Sequence, residues 1–167
     1  MTTKADFNGE EWDLISEAPA IAGLIVITAS RGGTIRETLE MGKVYAGAQK
    51  AHATGDLLSE VVAGAPRVDP KQFESKEDIR ARGLGKISEA VGLVRDRATV
   101  DELVDYREFI LDLANHVAER DKSGGFLGIG GERVSGGEQS AIADITAALG
   151  DEPADDSPAQ DAPEPAA

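Results

Sequence analysis

The chain has 167 residues, 41% of them hydrophobic, which suits one globular domain with a continuous core. It contains no cysteine, so disulfides and thiolate metal sites are excluded, and a formal net charge of −14 disfavours non-specific binding of nucleic acid, whose phosphates must be neutralised by Lys and Arg. Aromatic residues make up only 4% against 19 glycines, so the core must close through small side chains packed tightly.

The first residues are polar and acidic where a signal peptide needs a basic region and an apolar run. The most apolar stretch, 18–29, is shorter than the ~20 residues that span a bilayer. A cytoplasmic location is the expectation. Helix starts then recur along the chain. In a capping box the N-cap side chain accepts from the amide three residues on, and the side chain there accepts from the N-cap amide. Thr34/Glu37, Thr99/Glu102 and Ser135/Glu138 fit this pattern, Asn8/Glu11 is a looser version of it and Ser75/Asp78 approximates it, each ahead of apolar residues at helical period.

The first helix is expected from about Gly9, carrying Trp12, Leu14 and Ile15; Pro19 either kinks it or opens a second segment capped by Ser16. Residues 18–29 are apolar all round, the mark of the most buried helix. The β-branched run Leu24-Ile25-Val26-Ile27-Thr28 also fits a strand, but no second strand-like run exists to pair with it, so helix is preferred, ended by Gly32-Gly33. A helix over about 34–53 follows, with Ile35, Leu39, Val44 and Tyr45 toward the core and Gly42, Ala46, Gly47 and Ala51 as a small-residue seam for a neighbouring backbone. Asp56 caps a short helix through Leu57, Leu58, Val61 and Val62, and 63–73 is a loop. Ser75 caps a helix through Ile79, Leu84, Ile87, Val91 and Val94, in which Gly83, Gly85 and Gly92 imply close crossings or local irregularity. Thr99 caps a long helix over about 99–122 with Leu103, Tyr106, Ile110, Leu113 and Val117 on one face. Ser135 caps a last helix carrying Ala141, Ile142, Ile145 and Leu149, and Gly150 ends it.

Between the last two helices, 123–135 reads Ser-Gly-Gly-Phe-Leu-Gly-Ile-Gly-Gly-Glu-Arg-Val-Ser. Five glycines supply turns, while Phe126, Leu127, Ile129 and Val134 are too apolar for a flexible linker, so an ordered loop docked on a surface is expected. Residues 151–167 hold Asp151, Glu152, Asp155, Asp156, Asp161 and Glu164 with no Lys or Arg and nothing apolar larger than Ala or Pro, which reads as a disordered acidic tail; the remainder has 25 acidic and 17 basic residues. The fold class expected is therefore all-α: a compact bundle of about five to seven helices over 1–150 with the glycine-rich loop before its last helix.

Over 118–150, a long helix, the glycine loop, Val-Ser-Gly-Gly-Glu and a short helix ending Ala-Ala-Leu-Gly resemble the tellurite-resistance B-like helical proteins. Trp12, Ala18-Pro19 and the glycine loop together resemble an uncharacterised bacterial all-helical family. The first resemblance implies a compact all-α domain and an acidic metal site before the last helix. Where that group has an Asp-Gly pair, this chain has Gly-Gly-Glu-Arg, which leaves Glu132 as the acidic residue there.

The loop lacks the Gly-Lys-Ser/Thr ending of a Walker motif and follows a helix, so it is not read as a nucleotide site. Membrane insertion by Phe126, Leu127 and Ile129 would need more basic support than Lys122 and Arg133. The readings left for the loop are completion of the core and docking of a protein partner, with Phe126, Leu127, Ile129, Arg133 and Val134 as partner-binding residues. A metal reading uses Asp112, His116 and Glu119, which share one helix face; a solvated face has the same spacing. No thiol nucleophile and no Gly-x-Ser-x-Gly elbow occurs. The function expected is a non-enzymatic protein-interaction domain, an adaptor or stress-associated accessory factor without cofactor; the alternative is a metal- or small-ligand-binding helical domain.

Overall fold

A computed structural model describes residues 1–29, 35–52, 55–120 and 136–150, with side chains outside 35–40 and 120. Among the described residues it is all-α, with six helices and no strand: α1 (Gly9–Ala29), α2 (Ile35–Ala51), α3 (Leu57–Val62), α4 (Lys76–Arg97), α5 (Val100–Arg120) and α6 (Gly136–Leu149). Short 3-10 turns at Lys4–Asp6 and Pro70–Gln72 precede α1 and α4.

The helix starts follow the local rules. Asn8 and Glu11 exchange both capping bonds at 2.9 Å. Thr99 and Glu102 do the same at α5, and Asp56 accepts from Ser59 N–H at the head of α3. At α4, Ser75 accepts from Asp78 N–H while the Asp78 carboxylate takes the Glu74 amide, one residue off the ideal box. Thr34 and Ser135 lie outside the described residues.

Helix α1 is the hub, packing most extensively on α4 and then on α5, with α6 closing over all three and α2 lying on α5. The strand alternative for 24–28 is not realised. The second segment that Pro19 could open does not form: α1 continues through it as one helix, and Ser16 is inside that helix rather than capping a new one. Pro19 has no N–H to give the carbonyl of Ile15, four residues earlier. The Tyr106 hydroxyl of α5 donates to that carbonyl at 2.7 Å, so a buried acceptor orphaned in one helix is satisfied from another.

Small residues set two crossings. A Cβ on Gly83 of α4 would meet Ile21 Cγ2 at 2.9 Å and Ile25 Cδ1 at 3.1 Å, so this glycine lets α4 press on α1. Gly23 of α1 likewise faces the Met41 thioether of α2. The other expected crossings are corrected: Gly85 and Gly92 face open space, and so do Gly42 and Gly47 of the α2 seam, where Ala46 and Ala51 are exposed. Met41 and Tyr45 bury more apolar surface than Gly and Ala would, so they take the inward stripe and turn the seam outward.

Two aromatic anchors tie the segments between helices to this frame. Phe7 is buried under Arg97, whose guanidinium is 5.3 Å from the ring centre and also holds the Glu11 carboxylate at 2.5 and 2.7 Å. Phe73 is buried beneath Arg82 and Lys86.

Candidate functional site: the outer face of α5

Two sets of site residues were expected. The loop residues Phe126, Leu127, Ile129, Arg133 and Val134 lie outside the described residues, as do Glu132 and residues 151–167. The metal set is described. Asp112, His116 and Glu119 occupy α5 at the expected spacing, with Asp112 and Glu119 exposed and His116 half-buried. They do not converge: among the described residues no group of three His, Asp or Glu side chains comes together so as to hold a metal ion. Asp112 and Glu119 are exposed on this helix face.

The same face has a different organisation. Asp101, Asp105, Glu108, Asp112 and Glu119 follow one another at intervals of four, three, four and seven residues, which at ~100° per residue places them in one narrow band along α5. Four are exposed and Asp105 is half-buried. No ion pair engages any of the five among the described residues. The opposite face of the helix is apolar, with Leu103, Tyr106, Ile110, Leu113 and Val117 buried against the core, so burial turns the acidic band outward.

An open cleft flanks the band on each side. Toward α2 and α3, a cleft of about 300 Å³ has Phe109 and Leu58 beneath it, Gly47, Ala48 and Ala51 along one wall and Asp105, Glu108 and Asp112 along the other. His52 stands at its rim, its Nδ1 3.4 Å from the Asp56 carboxylate that caps α3. Toward α6, a groove of about 510 Å³ is lined by Val104, Leu111, Ala143, Ala147 and Leu149, with Glu108 again on its edge. At its end the Arg107 guanidinium donates to the Gly150 carbonyl, where the chain turns out of α6 at φ +80°.

The start of α5 is held firmly. Burial alone would raise the Glu102 pKa, but the Thr2 and Thr99 amides and hydroxyls all donate to its carboxylate and hold it down to about 2. Behind the α2 cleft, Tyr45 stacks edge-on against Phe109 at 5.2 Å, and its buried hydroxyl has no hydrogen-bond partner among the described residues; desolvation pushes its pKa up. A third cavity, about 390 Å³ between the N-terminal segment and α3, mixes Lys4 and Arg67 with Asp13, Glu17 and Glu60 and so favours no single ligand charge.

The face thus offers shape and one sign of charge for recognition. Its signal was present in the Asp/Glu spacing over 101–119, of which only the 112–119 end was singled out from sequence. No protein-family model, no curated protein and no solved structure matches this chain.

Proposed function

We propose that this chain is a non-enzymatic protein-interaction domain, an adaptor or accessory factor, that works through the outer face of α5. The observation that carries the reading is a band of carboxylates without ion-pair partners among the described residues, set between an apolar groove toward α6 and an open cleft of mixed lining toward α2. Charge on the rim steers and orients a partner, while apolar area in the clefts supplies most of the affinity. A cytoplasmic setting belongs to the same proposal. Helix α1 has the length and hydropathy of a membrane span, but its Ile15, Ile21 and Ile25 are covered by the neighbouring helices.

The test is proximity cross-linking from the α5 face in its native host, comparing the natural chain with Asp105→Lys/Asp112→Lys. The reading expects one reproducible protein to be cross-linked by the natural chain and lost with the variant, at equal helical circular dichroism. Equal recovery of every cross-linked protein by both chains would overturn it.

A further inference from the structure

We propose that the cleft between α2 and α5 receives a cationic amphipathic helix of a partner protein. Its Lys or Arg residues pair with Asp105, Glu108 and Asp112, and its apolar face lies against Gly47, Ala48 and Ala51. This rests on the reading of α5's outer face as the interaction surface and names the chemistry of what binds there.

Shape selects a helix. Val44, Gly47, Ala48 and Ala51 recur at helical spacing along the α2 wall, and a Cβ on Gly47 would meet nothing within 4 Å. Interaxial distance between packed helices, about 8–10 Å, is set by the side chains at the contact, so a Gly/Ala wall admits the closest approach. Gly47 and Ala51 belong to the seam that the sequence marks for a neighbouring backbone, and both are exposed. The cleft base is apolar and well ordered by packing, with Leu58 and Phe109 both buried.

Charge selects a cationic one. Asp105, Glu108 and Asp112 stand at i, i+3 and i+7, a spacing that Lys or Arg at the same intervals on a facing helix can match. The exposed α2 cations, Lys43 and Lys50, are not part of the cleft walls. The other occupants are repelled. A second copy carries the same acidic band and a net charge of −14, and residues 151–167 bring six acidic groups with no Lys or Arg. Nucleic acid and anionic lipid surfaces have the wrong sign.

The probe is a designed, stapled helix of about 18 residues with Lys in rows beside an Ala/Leu face, long enough to span several turns. Its binding to the full chain is followed by calorimetry and by amide chemical shifts. The expected result is binding that weakens with added salt, shifts confined to α2 and α5, at least a tenfold loss in Asp105→Lys/Asp112→Lys, and a comparable loss in Gly47→Leu, which fills the cleft without changing charge. Glu77→Lys/Glu89→Lys on the exposed side of α4 changes net charge equally and is expected to alter affinity less than twofold. A tenfold loss in that control, no effect of Gly47→Leu, shifts elsewhere, or no binding would overturn the proposal, as would flotation on phosphatidylserine vesicles or self-association through this face. If the designed helix fails while cross-linking in the host stays dependent on Asp105 and Asp112, the cationic helix is wrong and the interaction surface survives. If both fail, the functional reading falls with it.

Discussion

At the scale of the residue, the most informative pair is Pro19 and Tyr106. A proline inside a helix ordinarily costs about 3 kcal/mol, partly through the carbonyl it leaves without a donor. Here that carbonyl belongs to Ile15, is buried, and is repaired by a hydroxyl 91 positions away in the sequence. Tyr106→Phe removes the repair and is expected to destabilise the fold by about 1–3 kcal/mol, the cost of an unsatisfied buried acceptor. In a Pro19→Ala background the new amide supplies the donor, so the same substitution is expected to cost less than about 1 kcal/mol. A urea double-mutant cycle reads the difference. Equal costs in the two backgrounds would show that the hydroxyl does not stand in for the amide that Pro19 lacks. Tyr45→Phe is the internal control: its buried hydroxyl has no partner among the described residues, so its removal is expected to be neutral or mildly stabilising.

At the scale of the element, the junction between α4 and α5 is clasped by the N-terminal segment through Thr2, Thr99 and Glu102. The folded Glu102 pKa of about 2 lies below its ordinary 4.5. Its contribution is therefore fully present above about pH 4.5 and is lost progressively as pH falls toward 2. Glu102→Gln is expected to flatten the acid limb of stability against pH in that window by up to about one proton's slope. Glu11, held down to about 2 first by Arg97 and then by the Asn8 amide, titrates in the same window and leaves a residual slope in the variant. An unchanged limb would mean that Glu102 is not held by the clasp. The same junction explains what could be read from the chain beforehand. Asn8/Glu11 and Thr99/Glu102 are legible because a cap closes within four residues. Phe7 and Phe73 were not singled out, because Arg97, Arg82 and Lys86 reach them only after folding. Gly83 and Gly47 look alike in sequence, yet one seats a helix crossing and the other faces solvent. That choice belongs to the competition between whole helix faces for burial, which no local window contains. The acidic band of α5 was partly legible for the same reason: its spacing is local, but the clefts beside it are made by α2 and α6.

At the scale of the whole molecule, the acidic band is a cost to the fold. Asp101–Asp105, Asp105–Glu108 and Glu108–Asp112 are like-charged neighbours at i,i+4, i,i+3 and i,i+4, each destabilising a helix by about 0.2–0.5 kcal/mol, on a chain already carrying −14. Asp105→Asn/Asp112→Asn removes all three repulsions while leaving Asp101 at the helix N-terminus, where a negative charge is favourable. The variant is expected to be more stable than the natural chain by about 0.5–1 kcal/mol at low ionic strength. Salt screens such pairs over about 3 Å at 1 M, so the advantage is expected to vanish there. Urea midpoints of the two chains in 20 mM and 1 M NaCl make the measurement. A salt-independent gain would point to helix propensity, and no gain at low salt would mean that the band is already compensated within the molecule. A band that costs stability in the free chain and loses that cost in salt is what the proposed cationic partner requires, because pairing with its Lys or Arg would relieve the same repulsions.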